Sequence, residues 1–263
     1  MHRAASFTVL IAAFAIPTLA FADIIVDSAP TLVTQFELGT PATNGSIDPR
    51  TVPYYDNIEN FSGFGFANGG AASVSGILTT KYTSDDISVD PSNYNQPVSH
   101  IQWCTANFNA AATTARMRVR FHQDSATGPG TYITGFSFTA TAIPSGVSCW
   151  DFDNGVSFMN LPSTTRFWAG ITFDNSGAST TTAAQLNNLG MGLFTPVYIG
   201  STQDLDFLTS AANIGNVNNP VGAIRNSPFS GNPPAAHGWW ITPEPSSLAL
   251  LGLGALALIR RRR

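Results

Sequence analysis

Apolar and polar residues alternate with a period of two along three stretches of the chain. Met117, Val119 and Phe121 share one parity, against Arg116, Arg118, Arg120 and His122, the pattern of a strand with one face toward a core and one polar face. Phe136, Phe138, Ala140 and Ala142 repeat it opposite Gly135, Ser137, Thr139 and Thr141, and Phe167, Ala169, Ile171 and Phe173 do so opposite Trp168, Gly170 and Thr172. Turn-forming clusters at 125–130, 144–146 and 174–177 separate these runs. Residues 24–26 and 31–36 read as earlier strands in a polar, less regular segment, 23–70. No stretch between the two ends shows a helical period longer than two turns. Short strands with frequent turn signals predict an all-β body over 23–235, an antiparallel β-sandwich or jelly roll.

The two ends break this pattern. Met1-His2-Arg3 leads into an apolar run from Ala4 to Phe21, and Ala20-Phe21-Ala22 precedes Asp23. A positive start, an apolar stretch and small residues at Ala20 and Ala22 predict a secretory signal peptide over 1–22, delivered to the secretion machinery. Cleavage falls after Ala22, with Ala20 the other possible end; an uncleaved anchor is the competing reading. At the far end Thr242-Pro243-Glu244-Pro245 precedes a stretch, 246–259, that is apolar from Leu248 onward, and then Arg260, Arg261, Arg262 and Arg263. Fourteen helical residues span about 21 Å, short of the roughly 30 Å hydrocarbon core. The segment predicts a short transmembrane helix that holds the inner membrane transiently, with the arginines retained on the cytoplasmic side. Residues 236–241 are expected as a linker between body and tail.

The triplet Pro243-Glu244-Pro245, the short Leu/Gly/Ala helix and the arginine cluster, in that order, resemble the PEP-CTERM sorting domain. The resemblance covers 242–263. It implies that Pro243, Glu244 and Pro245 are recognised by an exosortase, a membrane-embedded transpeptidase-like cysteine protease whose substrate this chain would be. It also implies association with exopolysaccharide or biofilm matrix. The run from Val98 through Phe121, followed by Gly128-Pro129-Gly130, is similar in architecture alone to jelly-roll domains of PEP-CTERM surface proteins.

Charge narrows the partners. Between Asp23 and Thr242 there are seven basic and fifteen acidic residues, a net charge of -8. Such a body lacks the clustered Lys and Arg that grip a phosphate backbone, so nucleic acid is excluded as a partner. Cys104 and Cys149 are the two cysteines; in an exported body they predict a disulfide, stapling a core edge beside Trp103 and Trp150.

Candidate chemistry is sparse. His100, His122 and His237 are the imidazoles of the body, without a G-x-S-x-G elbow or an H-E-x-x-H motif, and no catalytic residue is expected. Asp151, Asp153 and Asn154, before Gly155, begin a loop of the kind calcium uses, as do Asp85 and Asp86 with Asp90; the same residues also make ordinary turns. No other cofactor is expected. Arg116, Arg118 and Arg120 form a row suited to an anionic polysaccharide or to acids on a neighbouring strand. Trp168, Trp239 and Trp240 are candidates for stacking on sugar rings. The expected function is therefore an exported, non-enzymatic surface or matrix protein, with a carbohydrate-binding module and a β-sandwich hydrolase as alternatives.

Overall fold

The computed structural model describes residues 29–44, 52–195, 199–203, 205–226 and 236–243. Its first strands are β1 (Thr31–Phe36), β2 (Ala42–Thr43), β3 (Tyr55–Asp56), β4 (Asn60–Ala67), β5 (Ala72–Val74), β6 (Ile77–Thr79) and β7 (Thr83–Ser88). The long central strands are β8 (Pro97–Asn107), β9 (Thr113–Ser125), β10 (Gly128–Ile143) and β11 (Gly146–Asp153), followed by β12 (Met159–Asn160) and β13 (Arg166–Asp174). One short helix, α1 (Ala183–Asn187), precedes β14 (Leu189–Phe194), β15 (Leu205–Thr209), β16 (Gly222–Asn226), β17 (Ala236–His237) and β18 (Trp239–Pro243).

These strands form two antiparallel sheets. In sheet A the order is β10-β9-β13-β7-β15-β16, with β6 beside β13 and β5 beside β6. In sheet B it is β1-β11-β8-β14-β4-β2, with β18 also beside β8 and β3 beside β18. The alternating runs of the sequence are the central strands of sheet A: Arg120 pairs with Gly135 on one side and Gly170 on the other. Their apolar parity faces sheet B across one core, in β10 only as far as Ala140: the register shifts between Ala140 and Ile143, leaving Ala142 exposed and Ile143 in the core. Trp103 meets Phe136 edge-on at 5.5 Å, Phe121 meets Trp239 at 5.9 Å and Phe152 lies 4.5 Å from Phe136. Each large side chain buried there contributes about 1.5–3 kcal/mol.

Part of the opposite parity of each sheet is covered too, although Thr139 and Thr141 on sheet A stay exposed. Outside sheet B, Phe36, Phe61, Phe194 and Trp240 close over Cys104 and Cys149, with Phe36 stacked on Phe61 at 5.1 Å. Outside sheet A, Tyr82, Trp168, Phe207 and Val217 form a smaller cluster. Cys104 and Cys149 are bonded and stand directly opposite each other on β8 and β11, Cα atoms 4.0 Å apart. The bridge thus joins two directly paired strands inside a buried cluster instead of stapling a core edge. Trp103 and Trp150, one residue on, oppose each other on the other face. The turn between β10 and β11 needs Gly146: its φ is +100°, and a Cβ there would come 2.5 Å from the Phe36 carbonyl oxygen.

Residues 31–36 form the strand expected of them, whereas 24–26 and the segment 1–22, with Ala20 and Ala22, lie outside the described residues. Segment 23–70 carries four strands among its described residues. Among the described residues no helix is long and apolar enough to cross a membrane; the run 246–259 lies outside them, as do Glu244, Pro245, Arg260, Arg261, Arg262 and Arg263.

Candidate functional site at the sorting junction

Residues 236–241 are not a linker. They form β17 and most of β18, which enters sheet B between β8 and β3. Trp239 pairs with Trp103, Ile241 with both Ile101 and Tyr55, and Thr242 with His100. Trp239, Trp240, Ile241 and Thr242 are fully buried. The cause is the apolar content of Trp-Trp-Ile: Trp239 and Ile241 fill the inter-sheet core, while Trp240 points the other way into the disulfide cluster.

Polar groups lock this segment from both sides. The amide of Asn57 is buried; its Nδ2 donates to the His237 carbonyl (2.6 Å) and its Oδ1 accepts from the Trp239 N–H (2.7 Å). The Gly238 carbonyl accepts from Cys104 N–H (3.1 Å), and the Gly238 N–H donates to the Gly192 carbonyl (3.1 Å). A Cβ on Gly238 would lie 2.6 Å from the Phe194 ring, so only glycine fits this approach. Tyr54 N–H donates to the Ile241 carbonyl (2.7 Å), and the hydroxyls of Thr242 and Ser99 donate to the carbonyls of His100 and Pro243 (3.3 Å each).

His237 ties the segment to sheet A. Its N–H donates to Asp85 Oδ2 at 2.9 Å. Asp206, paired with Asp85 in register, is bonded to the Arg225 guanidinium, which lies 4.9 Å over the Phe66 ring. Burial pushes the Asp85 carboxyl well above the usual range, and the charges of Asp86 and Asp206 add to this. Burial also raises Asp206 against the opposing pull of Arg225. It lowers His237 to about 3, with the Arg225 charge acting in the same direction. The backbone hydrogen bond from His237 to Asp85 and the Asp206–Arg225 ion pair hold the group in place, which is a positioning arrangement.

The histidines do not converge. His100 Nε2 lies 2.6 Å from Asp151 Oδ1, and its ring meets Trp240 edge-on at 4.9 Å, on the outer side of sheet B. A His–carboxylate pair is two-thirds of a nucleophilic triad. The hydroxyl on the adjoining strand, Thr242, is spent on the His100 backbone carbonyl. His122 is buried on the outer side of sheet A, its Nδ1 3.1 Å from the Tyr82 hydroxyl, and burial lowers it to about 4.

The arginine row is largely consumed internally. Arg120 is buried; it donates to the carbonyls of Val119 (2.9 Å) and Phe136 (2.8 Å) and to Asn218 (2.9 Å). Arg118 pairs with the buried Asp174 at 2.5 Å. Arg116, half-buried, reaches Ser176 at 3.5 Å. Of the calcium candidates, Asp151 is engaged by His100, Asp153 Oδ1 accepts from Gly155 N–H (2.8 Å), and Asn154 donates to the Val156 carbonyl (3.3 Å). Asp86 accepts from the Thr202 hydroxyl and from the N–H groups of Gln203 and Leu205 (2.8, 2.8 and 3.0 Å), while Asp90 accepts from Ser92. Among the described residues no group of three or more His, Cys, Asp or Glu is placed to hold a metal ion. Trp168, Trp239 and Trp240, read above as sugar platforms, have no exposed ring face; each belongs to a core.

Sequence reasoning passed over Asn57, and it singled out Asp85 and His237 for other chemistry, as a calcium candidate and as an imidazole of the body. Their signal is burial of isolated polar residues, which appears only once distant strands meet. The tail itself was readable. Residues 242–263 match the family model described as the PEP-CTERM protein-sorting motif. The chain therefore carries a motif for export and exosortase-mediated sorting, beginning at the last buried residue of β18. Comparison of the chain with curated proteins and with solved structures gives no match.

Proposed function

We propose that this is a non-enzymatic, exported surface or matrix protein, delivered with its β body already folded and freed from a transient inner-membrane hold by an exosortase. The observation that supports this reading is the junction: the sorting motif starts at Thr242, inside a strand that completes sheet B. Cleavage beyond that strand would release the body whole. The partial covering of both outer sheet faces and the internal engagement of Arg118 and Arg120 suit a robust structural body, with association to an exopolysaccharide matrix as its role. Fractionation of cells with and without the exosortase tests the reading. The body should leave the membrane fraction when the enzyme is present and stay there when it is absent. Equal distribution in both strains would refute it.

A further inference from the structure

The junction fixes which end of the body meets the membrane. β18 ends at Pro243, β8 begins at Pro97, β11 ends at Asp153 and β1 begins at Thr31; the antiparallel registers put all four at one end of sheet B. The chain before Ala29 and after Pro243 thus leaves the body on the same side. In the order β1-β11-β8-β18 the two exits are three strand spacings apart, about 14 Å. From Pro243 to Leu248, where the apolar run of the sorting tail begins, five residues reach at most about 17 Å. The headgroup layer takes up about 5–8 Å of that. A tail seated in the bilayer therefore leaves this end little room to stand off.

The surface of that end fits the contact. Two of the most exposed large apolar side chains among the described residues, Val52 (79% exposed) and Val156 (59%), lie there. Val52 precedes Tyr54, which bonds to Ile241, and Val156 lies in the loop that follows β11 and is bonded back to Val98 and Ser99. Asp90 and Asp153 are exposed at the same end, and its arginine among the described residues, Arg166, is tied to Asp124 at 2.9 Å. Among the described residues the end is thus apolar and acidic, suited to a neutral phospholipid surface.

We infer that the Val52–Val156 end of the body rests on the phospholipid surface of the membrane that holds the tail, so that the opposite end, around Ala110, faces away. This rests on the sorting reading of 242–263. The full-length, unprocessed protein, labelled with a fluorophore at V156C or at A110C, would be reconstituted in phosphatidylcholine vesicles carrying headgroup nitroxide lipid. Both side chains are exposed, and the native cysteines are already bonded. The ten steps of β8 place the two labels roughly 33 Å apart along the strand direction. Quenching several-fold stronger at position 156 is expected. Equal quenching, or stronger quenching at 110, in protein that floats with the vesicles overturns the orientation and leaves the tail reading intact. Failure to float, in a protein whose deletion of 246–263 changes nothing, overturns the tail reading and this inference with it.

Discussion

The two sheets cover their outer faces with opposite chemistry. Sheet B closes its outer side with Phe36, Phe61, Phe194 and Trp240 packed around a disulfide, so the cover is apolar and covalently braced. Sheet A closes its own with Arg120, His122 and Tyr82 beneath Val217 and Asn218, so the cover is a hydrogen-bonded polar layer with a small aromatic patch. The first depends on volume and chain connection. The second depends on every buried donor keeping its acceptor. Alternation in a strand therefore says which parity is polar, and leaves open whether that parity meets water.

The comparison can be broken most strongly on the sheet B side. Replacing both Cys104 and Cys149 by Ala removes a cross-link that closes a loop 45 residues apart in sequence. Stability should fall by about 4 kcal/mol, which calorimetry would read as a loss of roughly 10 °C in Tm.

On sheet A the counterpart is acid sensitivity. His122 is held near 4 by burial, below the ordinary value of about 6.5. Its contribution is complete above pH 6.5 and is lost as pH falls through about 4, an effect of up to about 3 kcal/mol. His237 acts in the same direction. Asp56, on β3 of sheet B and raised to about 6 by burial, acts in the opposite sense, gaining stability as pH falls through 6. Thermal melts at pH 7 and pH 4.5 should show His122→Asn with a shallower acid loss than the parent and Asp56→Asn with a steeper one. Unchanged slopes in both would contradict the buried-layer account.

Smaller effects separate the arginines. Arg120→Met strands the partners of a buried guanidinium and should cost about 2–3 kcal/mol. Arg118→Ala leaves Asp174 buried but still bonded to the Ser176 N–H at 2.9 Å, and should cost about 1–2 kcal/mol. Chemical denaturation would rank them, and a larger cost for Arg118 would reverse the comparison.

Much of the fold was legible where contacts are local. The parities of 116–122, 136–140 and 167–173 became β9, β10 and β13, since period-two alternation is imposed by the pleat itself, while a bulge after Ala140 leaves Ala142 exposed. The cysteine pair followed from compartment, and the tail from its own order of parts. The covering of sheet A was not legible: Val217 and Asn218 lie about a hundred residues from the strand they bury, and nothing near Arg120 announces them. Nor was β18, because Trp239, Trp240 and Ile241 make too short a run for periodicity and sit against prolines that suggested a break. Asp153 and Asn154 read as calcium ligands or as a turn, and in the structure they shape the turn through Gly155.

Intact-mass measurement of the mature protein from cells with active exosortase tests most directly the claim that the sorting motif is joined to a completed body. A C-terminus beyond Ile241, with Arg260, Arg261, Arg262 and Arg263 gone, is the predicted result. A mature form ending before Trp239, or one keeping all four arginines with and without the enzyme, would contradict it.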